Sequence, residues 1–336
     1  MQENQTITAK TIEKIELWKK EMFSNIAYFD NSKEYYDRAT KKIQATNKNL
    51  LCEYGISYLD EKLLGIFDDE LVIVGSWSGV GKSNMSDHIA VSNALKGKRV
   101  CYFRLEGDKT EFARLQLWKK TAEYYYASPY RERIENFDYH NFRANNLPGI
   151  DAYLLHAQEE LEKLHENIFI FDKSHKLTKE SFLDHLQKII KSKIDLIIID
   201  HLHYFDLWAG DNENKQIADI MRLIKESTEE YNIPIVLISH LRKKTDKRLI
   251  IPSQDDFMGT SNIAKEADTI VCIAPDYGNY DNQNNIYSTI FRVAKNRAGV
   301  RANSMALIDF NGIRKQYSAS FKEGRVINFG EGYELY

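Results

Sequence analysis

The chain has 336 residues, enough for one large α/β domain plus a small added element. Its 46 basic and 49 acidic residues leave a net charge of −3, so bulk charge argues neither for nor against nucleic acid, and any basic site must be local. The three cysteines, Cys52, Cys101 and Cys272, are scattered and form no Cys-x-x-Cys, which excludes a disulfide framework and fits a reducing cytoplasm. The start, Met1-Gln2-Glu3-Asn4-Gln5, lacks a secretory apolar core, and no apolar run reaches membrane-spanning length, so no membrane partner is expected.

Residues 1–50 read as a helical N-terminal extension. Ile12, Ile15, Trp18 and Met22 recur at helical spacing, and a second helix is predicted over about Ser32 to Ala45. This extension is either a cap packed on the main domain or an arm that docks on a neighbouring subunit. Residues 51–336 form the main domain. Apolar, β-branched runs at Leu71–Val74, Val100–Leu105, Ile168–Phe171, Leu196–Ile199, Ile233–Ile238 and Thr269–Ala274 are predicted strands, with helical stretches separating the first five. Such alternation gives an α/β fold, a mostly parallel sheet flanked by helices on both faces, with ligands at the carboxyl ends of the strands. Ile286–Ala294, Ser304–Phe310 and Ile313–Tyr317 follow as shorter strands, with Asn311-Gly312 as a hairpin turn. The Tyr124–Tyr130 segment is read as helix-packing surface in preference to a base-stacking platform.

The run Leu71-Val72-Ile73-Val74 breaks into Gly75-Ser76-Trp77-Ser78-Gly79-Val80-Gly81-Lys82-Ser83. A buried strand handing over to a small-residue loop ending in Gly-Lys-Ser is a phosphate-binding loop. Backbone N–H groups wrap the phosphates, Lys82 reaches the terminal ones, and the Ser83 hydroxyl holds Mg²⁺. A nucleoside triphosphate is thus the expected ligand, held by Gly79, Val80, Gly81, Lys82, Ser83 and Asn84. The strict spacing asks for glycine at position 76; the chain has Ser76, with Gly75 one residue early. His88–Leu95 reads as the following helix, whose N-terminus adds its dipole to the cradle.

Downstream, Leu196–Ile199 ends in Asp200, a carboxylate at a strand tip that can orient Mg²⁺ or simply cap a turn. Glu106 follows the second strand, placed to polarise a water or to lie solvated in a turn. His240 ends another core strand, as a phosphate sensor or a satisfied strand-end histidine. Lys295 and Arg297 are either turn cations or a finger acting on a neighbour's nucleotide. Arg242, Lys243, Lys244, Lys247 and Arg248 make the densest basic run, opening a loop that continues to about Gly259; it suits a nucleic-acid strand or plain solvation. His201-Leu202-His203 has metal-like spacing with no third ligand, so no zinc site is expected.

In this order the segments resemble the RecA-type motor domain of hexameric replicative DNA helicases, the family of DnaB, the phage primase-helicases and Twinkle. Gly55-Ile56-Ser57-Tyr58-Leu59-Asp60 is similar to the lead-in to the first strand. Phe103-Arg104-Leu105-Glu106 resembles the segment carrying the catalytic glutamate, Ile199-Asp200-His201-Leu202 the Walker B segment, and Ser239-His240-Leu241 the phage and Twinkle form of the sensor motif. Phe257-Met258-Gly259-Thr260-Ser261 and Lys295-Asn296-Arg297 look most like Twinkle. The resemblance implies a Mg²⁺-dependent ATP hydrolase and DNA helicase of the 5′–3′ type. It also implies a homo-oligomer, a hexameric ring, acting on single-stranded DNA with a loader or replication partner. Met258 stands where the family usually carries an arginine, which shifts strand binding towards backbone N–H groups and the basic run. The rival readings are a KaiC- or RadA-like ATPase switch, a recombination, defence or mobile-element factor, and a protein with a degenerate nucleotide site.

Overall fold

The computed structural model describes residues 32–45, 51–77, 80–105, 108–171, 177–202, 205, 213–242, 251–257, 261–281, 283–299, 302–328 and 332–335. The chain divides into two units, residues 1–50 and 51–336. In the first, α1 spans Ser32–Ala45, as its spacing predicts; Ile12, Ile15, Trp18 and Met22 lie outside the described residues.

The second unit is built on one sheet. Its strands are β1 (Leu71–Ser76), β2 (Val100–Arg104), β3 (Ile168–Ile170), β4 (Leu196–Asp200), β5 (Ile235–His240), β6 (Thr269–Asp281), β7 (Ile286–Asn296), β8 (Ser304–Asn311), β9 (Gln316–Asn328) and β10 (Gly332–Leu335). They lie in the order β10-β9-β8-β7-β6-β1-β5-β4-β2-β3. The six from β6 to β3 are parallel, and β7 to β10 add an antiparallel half. The helices of this unit are α2 (Ser57–Leu63), α3 (Lys82–Leu95), α4 (Lys109–Ala127), α5 (Tyr139–Arg143), α6 (Asp151–His165), α7 (Lys179–Lys191), α8 (Glu213–Tyr231) and α9 (Ser261–Glu266).

All six residues of β1 are buried, which is why it reads as an unbroken apolar run. Alternation then sorts its side chains between two cores. Val72 and Val74 pack with Met85 and Ile89 of α3. Leu71 and Ile73 share the opposite core with Phe182 and Leu186 of α7 and with Ile220 and Ile224 of α8. Helix α7 begins in a capping box, Thr178 with Ser181, and buries Phe182, Leu186 and Ile189 at helical spacing. A separate aromatic core joins α4 to α5 and α6. There Tyr125 stacks on Phe137 at 4.1 Å, and Arg314 lies 4.3 Å over the Tyr126 ring, so these tyrosines serve packing. Cys52, Cys101 and Cys272 are buried, and burial pushes each thiol up to about 12.

Three elements differ from the sequence expectation. Strand β5 starts at Ile235, after Pro234, which has no N–H for a ladder, and runs on to His240. Strand β6 continues to Asp281 because, beyond Ala274, it pairs with β7 alone, through Asp276↔Ser288 and Tyr280↔Tyr287. Ile313–Tyr317 is not a strand of its own. Gly312–Lys315 form a four-residue turn, and β9 starts at Gln316. The Asn311 side chain accepts from the Ile313 and Arg314 N–H groups, and Trp118 donates to the Ile313 carbonyl, which holds that apolar residue in the turn. Gly312 is needed for space: a Cβ there would stand 2.6 Å from Asn285 Oδ1.

Candidate nucleotide site

The carboxyl ends of β1, β5, β4 and β2 meet along one edge of the parallel sheet, where an α/β fold places its ligand. The chain leaves β1 at Ser76 and enters α3 at Lys82, with Gly81 as N-cap at φ +96°, a conformation that favours glycine. Helix α3 therefore points its positive end at the loop. Trp77 organises the turn: its carbonyl accepts from Val80 N–H at 3.4 Å and from Lys82 Nζ at 3.0 Å. Lys82 is thereby folded back over the loop and buried. Ser83 and Asn84 occupy the first turn of α3, both partly buried; Gly79 lies outside the described residues.

The glycine displacement has a steric reason. Ser76 is fully buried as the last residue of β1, and its hydroxyl donates to the Trp77 carbonyl. Gly75 is needed because Phe257 presses on the strand: a Cβ at position 75 would lie 2.6 Å from the ring Cζ. The glycine belongs to strand packing, and the phosphate loop proper begins after it.

Asp200 ends β4 almost wholly buried, and Ser86 Oγ, one turn into α3, donates to its Oδ2 at 3.0 Å. Ser86 also lies 2.8 Å from Tyr102 OH of β2, which in turn donates to Asp87 Oδ1 at 2.8 Å. Ser86 Oγ also lies 3.0 Å from the Ser83 carbonyl, so four close O···O contacts share the hydrogens of two hydroxyls, and a proton on Asp87 would add a third hydrogen. Burial pushes the Asp87 carboxyl up to about 6, against the pull of Arg104 and Lys119. Arg104 at the end of β2 approaches Asp87 at 3.6 Å and donates to the Asp108 carbonyl at 2.7 Å. This network escaped the sequence reading. Its signal was Ser83, Ser86 and Asp87 at i, i+3 and i+4, a polar stripe where a core-facing helix would carry apolar residues.

Glu106 lies outside the described residues, but Leu105 before it donates its N–H to the Asp200 carbonyl at 2.9 Å. His240 pairs in register with Ser76, at the root of the loop. Its Nε2 lies 3.2 Å from Nε2 of His201, the residue after Asp200.

The basic loop is rooted beside the phosphate loop. Leu241 donates its N–H to the Ser76 carbonyl at 3.1 Å, and Trp77 Nε1 donates to the Arg242 carbonyl at 3.0 Å. Arg242 N–H in turn donates to the Asp256 carbonyl at 2.7 Å, beside Phe257. Lys243, Lys244, Lys247, Arg248, Met258 and Gly259 lie outside the described residues.

Lys295 and Arg297 stand apart from this edge. Asn296 pairs with Thr269, and Thr269 with Val72, so both cations sit at the amino end of the parallel strands. Lys295 Nζ donates to the Ala264 and Ala267 carbonyls at 2.7 and 2.6 Å, closing the C-terminus of α9. Burial, with Arg297 adding to it, holds its ammonium below the usual lysine value. Arg297 pairs with Asp268 at 3.1 Å and leaves half its side chain exposed. Asp268 also accepts from Leu71 N–H and from the buried Lys225 Nζ, each at 2.8 Å, so one carboxylate ties β1, α8 and Arg297 together.

Ser83 and Asp200 offer a hydroxyl and a carboxylate. This all-oxygen donor set fits a hard cation such as Mg²⁺ that keeps most of its waters.

A family model described as "DnaB-like helicase C terminal domain" matches residues 52–317. A probable plasmid replicative DNA helicase of Chlamydia muridarum is 24% identical over 264 residues, 74% of this chain and 49% of the relative. The replicative DNA helicase DnaB of Haemophilus influenzae is 24% identical over 254 residues, 73% of this chain and 50% of the relative. The chain thus spans about half the length of the curated relatives it matches. Among solved structures, one described as an ATPase domain superposes with a TM-score of 0.69 at 18% identity, covering 86% of this chain and 98% of that one. A DnaB-like replicative helicase, solved in a study of its interactions with primase, gives 0.67 at 18% identity, covering 86% and 67%. These likenesses show the fold: a RecA-like sheet with flanking helices.

Proposed function

Because the chain belongs to the DnaB-like helicase C-terminal domain family, we propose that it is a Mg²⁺-dependent ATPase that couples hydrolysis to movement along single-stranded DNA and to duplex unwinding. The observation that carries this reading is the convergence of Lys82, Ser83, Asp200 and His240 on one edge of the sheet, beside the N-terminus of α3.

Gly79 to Asn84 cradle the phosphates, and Lys82 exchanges its bond to the Trp77 carbonyl for the terminal phosphates. Ser83 and Asp200 hold Mg²⁺, which when bound offsets charge on the phosphate oxygens. Ser86 fixes the Asp200 carboxylate in place. Glu106 orients the attacking water, and His240 contacts the terminal phosphate. Lys295 and Arg297 are too far from their own nucleotide: the strand between spans six residues, about 20 Å at ~3.3 Å each, more than an arginine side chain can bridge. They act on a neighbour's nucleotide, which requires a homo-oligomer, a hexameric ring in this reading. The run Arg242, Lys243, Lys244, Lys247 and Arg248, with Gly259, holds the DNA strand. Its root on Trp77 and Ser76 supplies a mechanical link from phosphate loop to DNA. Residues 1–50 serve as the extension that joins subunits, and a loader or other replication protein is the further partner. Among the described residues no helix is long and apolar enough to cross a membrane.

The test is ATP hydrolysis with and without Mg²⁺ and single-stranded DNA, alongside unwinding of a forked duplex. We expect Mg²⁺-dependent turnover stimulated by DNA, strand displacement, and loss of both in Lys82→Ala. Glu106→Gln should stop turnover while retaining ATP. Hydrolysis that ignores DNA and displaces no strand would overturn the helicase reading in favour of an ATPase switch.

A further inference from the structure

We propose that His201 is a positioning residue that holds His240 off the nucleotide until a terminal phosphate arrives. This rests on the reading of His240 as the phosphate-contacting side chain.

His201 follows Asp200 at the tip of β4, and His240 ends the adjacent β5. Their Nε2 atoms lie 3.2 Å apart, with ring centroids at 4.4 Å and planes at 87°. A neutral imidazole carries one N–H, so one Nε2 donates and the other accepts. His240 Nε2 therefore has its hydrogen-bonding capacity committed to His201. A phosphate oxygen only accepts, so His240 Nε2 cannot serve the phosphate and His201 together. Arrival of a terminal phosphate exchanges one bond for the other, and the charge-assisted bond to the anion is the stronger. ADP lacks the terminal phosphate and leaves the histidine pair intact. His201 is itself buried, and its neighbour Leu202 packs in the core shared by α7 and α8, which fixes the imidazole that holds His240.

The pair thus lowers affinity for ATP by the cost of breaking one hydrogen bond and leaves ADP unaffected. The experiment measures binding of a non-hydrolysable ATP analogue and of ADP to wild type, His201→Phe and His201→Gln. We expect His201→Phe, which keeps the ring volume and loses the partner, to bind the analogue about two- to tenfold more tightly, with ADP affinity unchanged. His201→Gln, whose amide can replace the lost partner, should return the wild-type ratio. Analogue affinity unchanged or lowered in His201→Phe, with wild type binding both nucleotides, overturns this proposal alone. Wild type that binds neither nucleotide overturns the ATPase reading with it. A measurement free of substitutions uses ¹⁵N-histidine spectra of wild type. The analogue should shift both His201 and His240 and ADP neither; a shift of His240 alone, or equal shifts with ADP, would contradict the exchange.

Discussion

Replacing Ser86 with alanine removes one hydroxyl from the buried network behind the phosphate loop. Asp200 Oδ2 loses a donor at 3.0 Å and Tyr102 OH a partner at 2.8 Å. A hydrogen bond to a charged group contributes about 1.5–3 kcal/mol. Alanine returns about 0.5 kcal/mol of helix propensity within α3. The expected net loss of stability is therefore about 1–2.5 kcal/mol, read as a lower midpoint in urea. The functional consequence is separate. If Ser86 fixes the carboxylate that faces Mg²⁺, the Mg²⁺ concentration giving half-maximal hydrolysis should rise about tenfold, the equivalent of about 1.4 kcal/mol. Hydrolysis at saturating Mg²⁺ should largely recover. A lower urea midpoint with a wild-type Mg²⁺ titration would show that Ser86 supports the fold and does not position Asp200.

Gly75→Ala would push a methyl group to within 2.6 Å of the Phe257 ring, costing about 1–3 kcal/mol; Phe257→Leu in the same chain should recover part of that loss, and simple additivity of the two changes would refute the contact. Asp268→Ala removes the carboxylate that accepts from Leu71 N–H and Lys225 Nζ, each at 2.8 Å, while Lys225 keeps Glu229 and the Asp69 carbonyl, each at 3.0 Å, so we expect about 1–3 kcal/mol less stability in urea; a loss under about 0.5 kcal/mol would contradict the role of this carboxylate. Burial lowers His88 from 6.5 to about 4 while its ring stays bonded to the Gly55 carbonyl at 2.7 Å. The unfolded chain therefore binds the proton first, so the His88 contribution is complete above about pH 6.5 and is lost as pH falls towards 4, about 3 kcal/mol in all. His88→Gln, which keeps a donor and does not titrate, should flatten the acid limb of the stability–pH curve; an unchanged limb would refute the assignment.

The parallel half of the fold was legible because a buried parallel strand must be apolar throughout. Leu71–Val74 and Leu196–Ile199 could hardly be anything else, and the loop after the first carries its chemistry in consecutive residues. The antiparallel half was less legible. Ile313 looks like a strand residue by composition, but the Asn311 side chain and the Trp118 indole, 195 residues away from its bonding partner, hold it in a turn. The site divides the same way. Asp200 and His240 announce themselves by standing at strand ends, and Lys82 and Ser83 by closing the small-residue loop that opens a helix. Ser86 and Asp268 gain their roles from partners far along the chain, Ser86 from Asp200 and Asp268 from Leu71, and local pattern does not encode such pairs. His201 was visible as a residue, but its neighbour in space, His240 from the adjacent strand, was not.

If hydrolysis is shared between subunits, two variants that are inactive alone should complement each other when mixed. Lys82→Ala destroys a chain's own phosphate site and keeps its Arg297; Arg297→Ala does the reverse. Each alone should hydrolyse ATP at background. In a mixed assembly, some intact sites of Arg297→Ala chains face the intact Arg297 of Lys82→Ala neighbours, so mixing should restore DNA-stimulated hydrolysis. A mixture that stays at background after confirmed subunit exchange, or an Arg297→Ala chain that is fully active alone, would contradict it.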